Sequence, residues 1–184
     1  LSWQELDQRS NQVAQLLYAR GLRPGDHISL LMQNDLAFFE IAWGAYRSGL
    51  YITCINRYLT VEEAAYIIND SNSKALFTAD ALAITGGLPA LTTECSQRFI
   101  TGAETSGYEG YEAAIATQPN TPLAAQPAGD AMLYSSGTTG APKGCMHTHA
   151  SVTATMVNGL VWTRSHPEGL TLGTLPLFHV TGMQ

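Results

Sequence analysis

The chain has 184 residues, room for about one domain, since domains commonly run ~100–200 residues. Apolar residues make up 45%, an ordinary share for a chain that buries a core, whereas charged residues make up only 13%, about half the usual ~25%. The net charge of -6 argues against nucleic-acid binding or a polybasic membrane patch, and runs such as Ile28 to Met32 fall far short of the ~20 apolar residues that span a bilayer. No nucleic-acid partner and no transmembrane segment are expected, and collagen, disorder and a disulfide scaffold are excluded.

Taken in order, the chain opens with a helix. Ser2 is its N-cap and Glu5 completes a capping box. Leu6, Val13, Leu16 and Leu17 share one face, and Gly21 ends the helix as a C′ residue. Arg23-Pro24-Gly25-Asp26 is turn chemistry, and His27 to Met32 reads as a buried strand. Asn34-Asp35 caps a helix carrying Phe38, Phe39, Ile41, Ala42 and Tyr46, closed by Gly49. Leu50 to Ile55 is the next strand. Thr60 with Glu63 forms a second capping box, before a helix around Ala64, Ala65, Ile67 and Ile68, and Lys74 to Thr78 returns as a strand. Such alternation predicts an α/β fold, mostly parallel sheets flanked by helices.

From Ala79 to Ala128 the pattern weakens to a short strand at Arg98-Phe99-Ile100, a helix from Tyr111 to Ala116 and a loop or linker from Gln118 to Pro127. Ala131 to Tyr134 is an apolar strand, Ser151 to Trp162 is helical by spacing, and Leu170 to Leu177 is a strand. Trp43, Trp162, Phe38 and Phe39 read as core. Cys54, Cys95 and Cys145, far apart and without a C-x-x-C pair, read as buried reduced thiols in a cytoplasmic protein. No signal peptide is visible. The chain begins at Leu1 and stops at Gln184 without a cap or turn, as expected for a piece of a longer protein.

The most informative segment is Tyr134-Ser135-Ser136-Gly137-Thr138-Thr139-Gly140-Ala141-Pro142-Lys143-Gly144, read as a loop between a strand and a helix. Its glycines allow close backbone approach to a ligand. The hydroxyls of Ser135, Ser136, Thr138 and Thr139, the loop N–H groups and the Lys143 ammonium together suit a polyphosphate. No acidic residue lies between Asp130 and Glu168, while Lys143, Arg164, His147, His149 and His166 do. A tetra-anionic nucleotide needs such a neighbourhood, although an acid-free stretch also arises by chance in a chain this poor in charge. The loop is not a Walker A motif, because Lys143 follows Pro142 and precedes Gly144. Ser136 lacks the G-x-S-x-G elbow of a hydrolase nucleophile. His147-Thr148-His149, at a loop-to-helix junction without neighbouring Cys, Asp or Glu, is not expected to hold zinc.

This loop, ending in Pro-Lys-Gly, resembles the signature of the adenylate-forming superfamily: acyl-CoA synthetases, aryl-CoA ligases, luciferases and nonribosomal adenylation domains. Leu175-Pro176-Leu177-Phe178-His179-Val180-Thr181-Gly182 is similar to that family's second core motif, and the run through Gly21, Gly25-Asp26, Asn34, Gly49 and Asn56 has its layout. The resemblance implies that residues 1–184 are the N-terminal portion of the AMP-binding large domain. It also implies a two-step reaction, in which a small-molecule carboxylic acid attacks ATP-Mg to give an acyl-adenylate, and coenzyme A then takes the acyl group. Ser135, Ser136, Gly137, Thr138, Thr139, Gly140 and Lys143 would hold the ATP phosphates. Thr139 would lie nearest Mg2+, and Lys143 would stabilise the departing pyrophosphate. His179 would stand in the acyl pocket, with a buried strand-end histidine as its alternative reading.

The form of the second motif is closer to fatty- or aryl-acid CoA ligases than to amino-acid-activating domains. An adenylation domain that loads a carrier protein, and a non-catalytic ATP-binding remnant, are the rival readings. A homodimer is left open. Residues 1–184 by themselves are expected to be inactive.

Overall fold

The local signals act where the sequence puts them. In this computed structural model, which describes residues 1–135, 140–163 and 175–179, helix α1 spans Trp3–Ala19. Ser2 Oγ accepts the Glu5 N–H at 3.2 Å and Glu5 Oε2 accepts the Ser2 N–H at 2.7 Å, so two orphan donors are satisfied reciprocally. Gly21 follows at φ +90°, the left-handed conformation that glycine adopts without cost. Helix α2 (Leu36–Tyr46) starts on Asp35, whose carboxylate accepts the Ala37 N–H at 2.9 Å. Helix α3 (Val61–Asp70) starts on the Thr60–Glu63 capping box.

Strands β1 (His27–Leu31), β2 (Tyr51–Cys54), β3 (Ser73–Ala79), β4 (Gln97–Thr101), β5 (Glu109–Gly110), β6 (Asp130–Ser135) and β7 (Lys143–Met146) form one seven-stranded sheet. Its order is β5-β4-β3-β1-β2-β6-β7. All neighbours pair parallel except β6 and β7, which are antiparallel. A short 3₁₀ turn (Thr85–Gly87), α4 (Leu88–Leu91), α5 (Tyr111–Ala116) and α6 (His149–Thr163) complete the elements. The expected α/β class with mostly parallel pairing is what the chain adopts.

Two apolar clusters lie on opposite faces of the sheet. One joins α1, α2 and α5 to Ile28, Leu30, Ile52, Phe77, Phe99 and Leu133, with Phe77 stacked on Phe99 at 4.9 Å and edge-on to Tyr111 at 6.2 Å. The other joins α3 and Leu88 to Leu31, Ile55, Leu76 and Cys95. Each fully buried large side chain contributes ~1.5–3 kcal/mol. The connector 118–127 is coil, as expected, but it is tied down. Asn11, Gln12 and Gln15 on α1 donate their side-chain amides to the carbonyls of Asn120, Ile115, Gln118 and Thr121 at 2.9–3.3 Å. Among the described residues no helix is long and apolar enough to cross a membrane.

Some expectations need correction. Lys143 to Met146 is a strand, so the glycine-rich segment turns within a β-hairpin instead of leading directly into a helix. The described end of the expected strand 170–177 is a turn: His179 N–H bonds the Pro176 carbonyl at 3.1 Å, and Leu175 to Leu177 pair with no strand. Residues 170–174 lie outside the described residues. Cys145 is exposed, because β7 is the edge strand and its side chain borders an open cavity, whereas Cys54 and Cys95 are buried as expected. Phe38 is core, but Phe39 is 43%, Trp43 44% and Trp162 87% exposed. Helical spacing cannot tell a face that meets the sheet from one that meets nothing.

Candidate functional site

Ligands of open α/β sheets bind beyond the carboxyl ends of the strands. In this chain a cavity of about 750 Å³ lies at that edge of β2 and β6 and runs along the hairpin. Cys54 and Asn56 bound it at the end of β2, Glu63 and Ile67 from α3, Ser135 and Gly140 from the hairpin turn, and Phe178 and His179 from the far motif. Its size suits a nucleotide- or drug-sized molecule.

Of the residues expected to hold phosphates, Ser135 ends β6 and Gly140 stands at φ +129° with nothing within 4 Å of where a Cβ would be. The glycine is required by its backbone conformation, and the space beside it is open. Lys143 pairs with Ser135 across the hairpin, is exposed, and has no acidic partner among the described residues. Side chains alternate along a strand, so Lys143 shares its face with the cavity-lining Cys145 and His147. Ser136, Gly137, Thr138 and Thr139, the last being the expected metal contact, lie outside the described residues. The described donors are of the kinds a phosphate chain needs: a glycine and a hydroxyl that line the cavity, and beside them an exposed ammonium without an acidic partner among the described residues.

His179 lines the same cavity and is exposed, not a buried strand-end histidine. The turn that carries it is held by Asn34, just beyond β1. The Asn34 amide donates to the Leu175 carbonyl at 3.2 Å, and its oxygen accepts the Leu177 N–H at 2.9 Å. Phe178 meets Tyr58 edge-on at 6.3 Å. The two sequence motifs, far apart in the chain, are thus brought to one crevice.

The acid-free window does not translate into an acid-free space. Folding brings Glu63 of α3 to the cavity wall, where its carboxylate accepts the Thr60 N–H at 2.9 Å, and Asp70 to the Tyr134 hydroxyl at 2.6 Å. Burial, and then this bond, push the Tyr134 phenol well above its ordinary range. His149 has no acidic neighbour in sequence, but the fold brings its Nδ1 to Asp130 at 2.7 Å. Cys54, wholly buried at the cavity's inner end, has its thiol pushed above the usual range by desolvation, so it stays protonated and unreactive. The contributions of Asn56, Leu59, Glu63 and Ile67 were not read from sequence. The available signal was topological: the segment after β2 must pass the carboxyl edge.

A largely parallel sheet, a glycine- and hydroxyl-rich hairpin with a lysine at its exit, and a crevice at the carboxyl edge define an α/β protein of the open-sheet kind. The family model for AMP-binding enzymes matches residues 1–184, and the chain belongs to that family, the one its hairpin motif resembles. The chain is 30% identical over 188 residues to a fatty acid–[acyl-carrier-protein] ligase of Streptomyces coeruleorubidus, covering all of this chain and 36% of that protein. It is 30% identical over 193 residues to a long-chain-fatty-acid–CoA ligase of Mycobacterium tuberculosis, with the same coverage. The crystal structure of ATP-bound MatB from Rhodopseudomonas palustris superimposes with a TM-score of 0.84 at 26% identity, over all of this chain and 36% of that one. The chain therefore spans about a third of the length of these relatives.

Proposed function

We propose that residues 1–184 are the N-terminal portion of the AMP-binding large domain of an acid-activating ligase. A carboxylate oxygen of the substrate attacks the α-phosphorus of ATP, the bond to the bridging oxygen breaks, and pyrophosphate leaves with its electron pair. The sulfur of coenzyme A then attacks the acyl carbon, and AMP is the second leaving group. The observation that carries this reading is the family match over the whole chain, joined to a hairpin whose described residues suit a phosphate chain.

Within it, Ser135, Ser136, Gly137, Thr138, Thr139 and Gly140 bind the ATP phosphates through hydroxyls and backbone N–H groups. Lys143 offsets the charge that builds on departing pyrophosphate, and Thr139 is the contact toward the Mg2+ that accompanies ATP. Positioning and charge stabilisation are the work such a loop does, since the bond changes occur between the substrates. His179 borders the acid. Use of ATP and CoA goes with a cytoplasmic location.

Loading of a carrier protein instead of CoA is the second reading, favoured by the likeness to the fatty acid–[acyl-carrier-protein] ligase. Supplying the full-length enzyme with either CoA or phosphopantetheinylated carrier protein, and following AMP release, separates the two. The adenylation step is tested by acid-dependent ATP–pyrophosphate exchange. Lys143→Ala is expected to slow exchange ~10–100-fold, the equivalent of a charge-assisted contact worth ~1.5–3 kcal/mol, with the melting temperature unchanged. Undiminished exchange would remove Lys143 from this role. Absence of exchange with every acid would leave the non-catalytic reading standing.

A further inference from the structure

We infer that α3 is the element that sets the position of the phosphate-binding hairpin, and that Tyr66 and Asp70 are its positioning residues. This rests on the reading of the hairpin turn as the ATP-phosphate site. The Tyr134 hydroxyl, one residue before Ser135, donates to Asp70 Oδ2 at 2.6 Å. The Tyr66 hydroxyl donates at 3.3 Å to the carbonyl of Pro142, one residue before Lys143. Tyr66 and Asp70 stand at i, i+4 spacing, hence on one face of α3. That single face therefore grips both flanks of the turn.

The base of the grip is firm. α3 is anchored by its capping box and by Ala64, Ala65, Ile67 and Ile68, all buried in the second apolar cluster. The gripped ends are stiff as well. Proline fixes its own φ at 142, and the Tyr134–Gly144 and Ser135–Lys143 pairs close the hairpin below the turn. Gly144 has a part in this. A Cβ there would meet the Tyr134 ring at 3.2 Å and collide with the Met132 methyl, so glycine lets the tyrosine lie across β7 toward α3. The bond to a carboxylate is charge-assisted, the stronger kind. Glu63 and Ile67 of the same helix wall the cavity, so whatever moves α3 also moves the cavity wall and the hairpin together.

No other link of this kind ties the flanks to the rest of the sheet among the described residues. The β6–β2 pairing is confined to Tyr51–Asp130 and Ile52–Ala131, at the opposite end of β6 from the turn. Beyond the Leu133 side chain in the first apolar cluster, the carboxyl end of β6 thus takes its lateral position from α3.

In the full-length enzyme, Asp70→Ala is expected to raise the KM for ATP about tenfold, the loss of one hydrogen bond to a charged group, while the KM for the acid stays within about twofold. Tyr134→Phe, which removes the hydroxyl and keeps the ring, should reproduce it, and Asp70→Asn, which keeps an acceptor but not the charge, should fall between Asp70→Ala and the wild type. Tyr66→Phe should raise the KM for ATP about twofold, its bond being neutral and longer. Amide exchange over residues 130–146, measured without nucleotide, should quicken in Asp70→Ala while exchange in α1 does not change. Unchanged exchange and unchanged KM for ATP would overturn the inference. So would equal rises in both KM values with a lowered melting temperature, the mark of general loosening. If the wild-type enzyme showed no ATP–pyrophosphate exchange, the phosphate reading would fail, and the amide-exchange arm would still decide whether α3 holds the hairpin.

Discussion

Two regions of the molecule differ in how they are held. From α1 to α5, strands β1–β5 are sandwiched between helices on both faces, and the buried carboxylate of this region is held by two partners. Glu40, only 3% exposed, accepts from Arg9 Nε at 2.6 Å and from the Tyr111 hydroxyl at 2.8 Å. Burial and the neighbouring Glu40 carboxylate push the Tyr111 phenol far up, so it remains a donor. From β6 to α6 the picture reverses. Every described side chain of α6 is exposed except half-buried Val152, and β7 is an edge strand. Yet the residues suited to chemistry, Ser135, Gly140 and Lys143, belong to this second region. The scaffold half is closed on both faces, whereas the working half joins it through the short β2–β6 pairing, through Ala131 and Leu133 in the first apolar cluster, and through polar contacts such as Asp70–Tyr134, Tyr66–Pro142, Asp130–His149 and Asn34–Leu177.

The largest way to break this contrast is at Phe77, wholly buried between Phe99 and Tyr111. Phe77→Ala is expected to cost ~3–5 kcal/mol in urea unfolding, from lost transfer energy and the cavity left behind. Glu40→Ala comes next. Removing one partner of a buried ion pair commonly costs ~3–5 kcal/mol, but Arg9 retains Glu112 at 2.7 Å and is part-exposed, so about 2–3 kcal/mol is expected. If either variant left stability unchanged, the scaffold half would not be the closed unit described.

How much of this was legible beforehand follows the same division. Ser2, Asp35, Thr60 and Gly21 act through neighbours a few residues away, so their caps could be read from spacing alone. The alternation of strand and helix fixed the class. Strand order could not be read, because β6 pairing with β2 is decided by which apolar faces meet, over a long separation. The turn 135–143 is legible by residue type, but its hairpin form is not: Lys143 and Gly144 are weak strand formers, overridden by the ladder with β6. The acid-free window failed for a related reason. Charge was counted along the chain, and folding supplied Glu63 and Asp70 from α3.

A smaller effect sharpens the comparison through pH. His27, at the start of β1, stacks on Tyr51 at 4.7 Å, and desolvation lowers its pKa below the usual 6.5 despite the opposing pull of Asp26. The folded state then binds a proton less readily than the unfolded chain. Stability is full above the unfolded pKa and declines as pH falls below it, until the folded pKa is reached. The unfolding midpoint of the wild type should fall relative to that of His27→Gln as the pH is lowered across that window. Parallel curves would mean that His27 is not desolvated in the folded chain.

The smallest effect is expected in α6. Trp162 is 87% and Val161 73% exposed, and neither contributes to either apolar cluster among the described residues. In residues 1–184, Trp162→Ser should therefore change the unfolding free energy by less than ~0.5 kcal/mol, as at a surface position without partners. It should also reduce self-association, since Met156, Val157, Leu160, Val161 and Trp162 all expose apolar side chains to water. Light scattering and urea unfolding on the same samples measure both. A loss of ~2 kcal/mol or more would show that Trp162 is packed within these residues, and the contrast between the closed and open regions would have to be redrawn at α6. The same substitution in the full-length enzyme refines the point. A large loss there, beside none in residues 1–184, would mean that α6 is covered by chain beyond these residues, and that the working half is completed only in the longer protein.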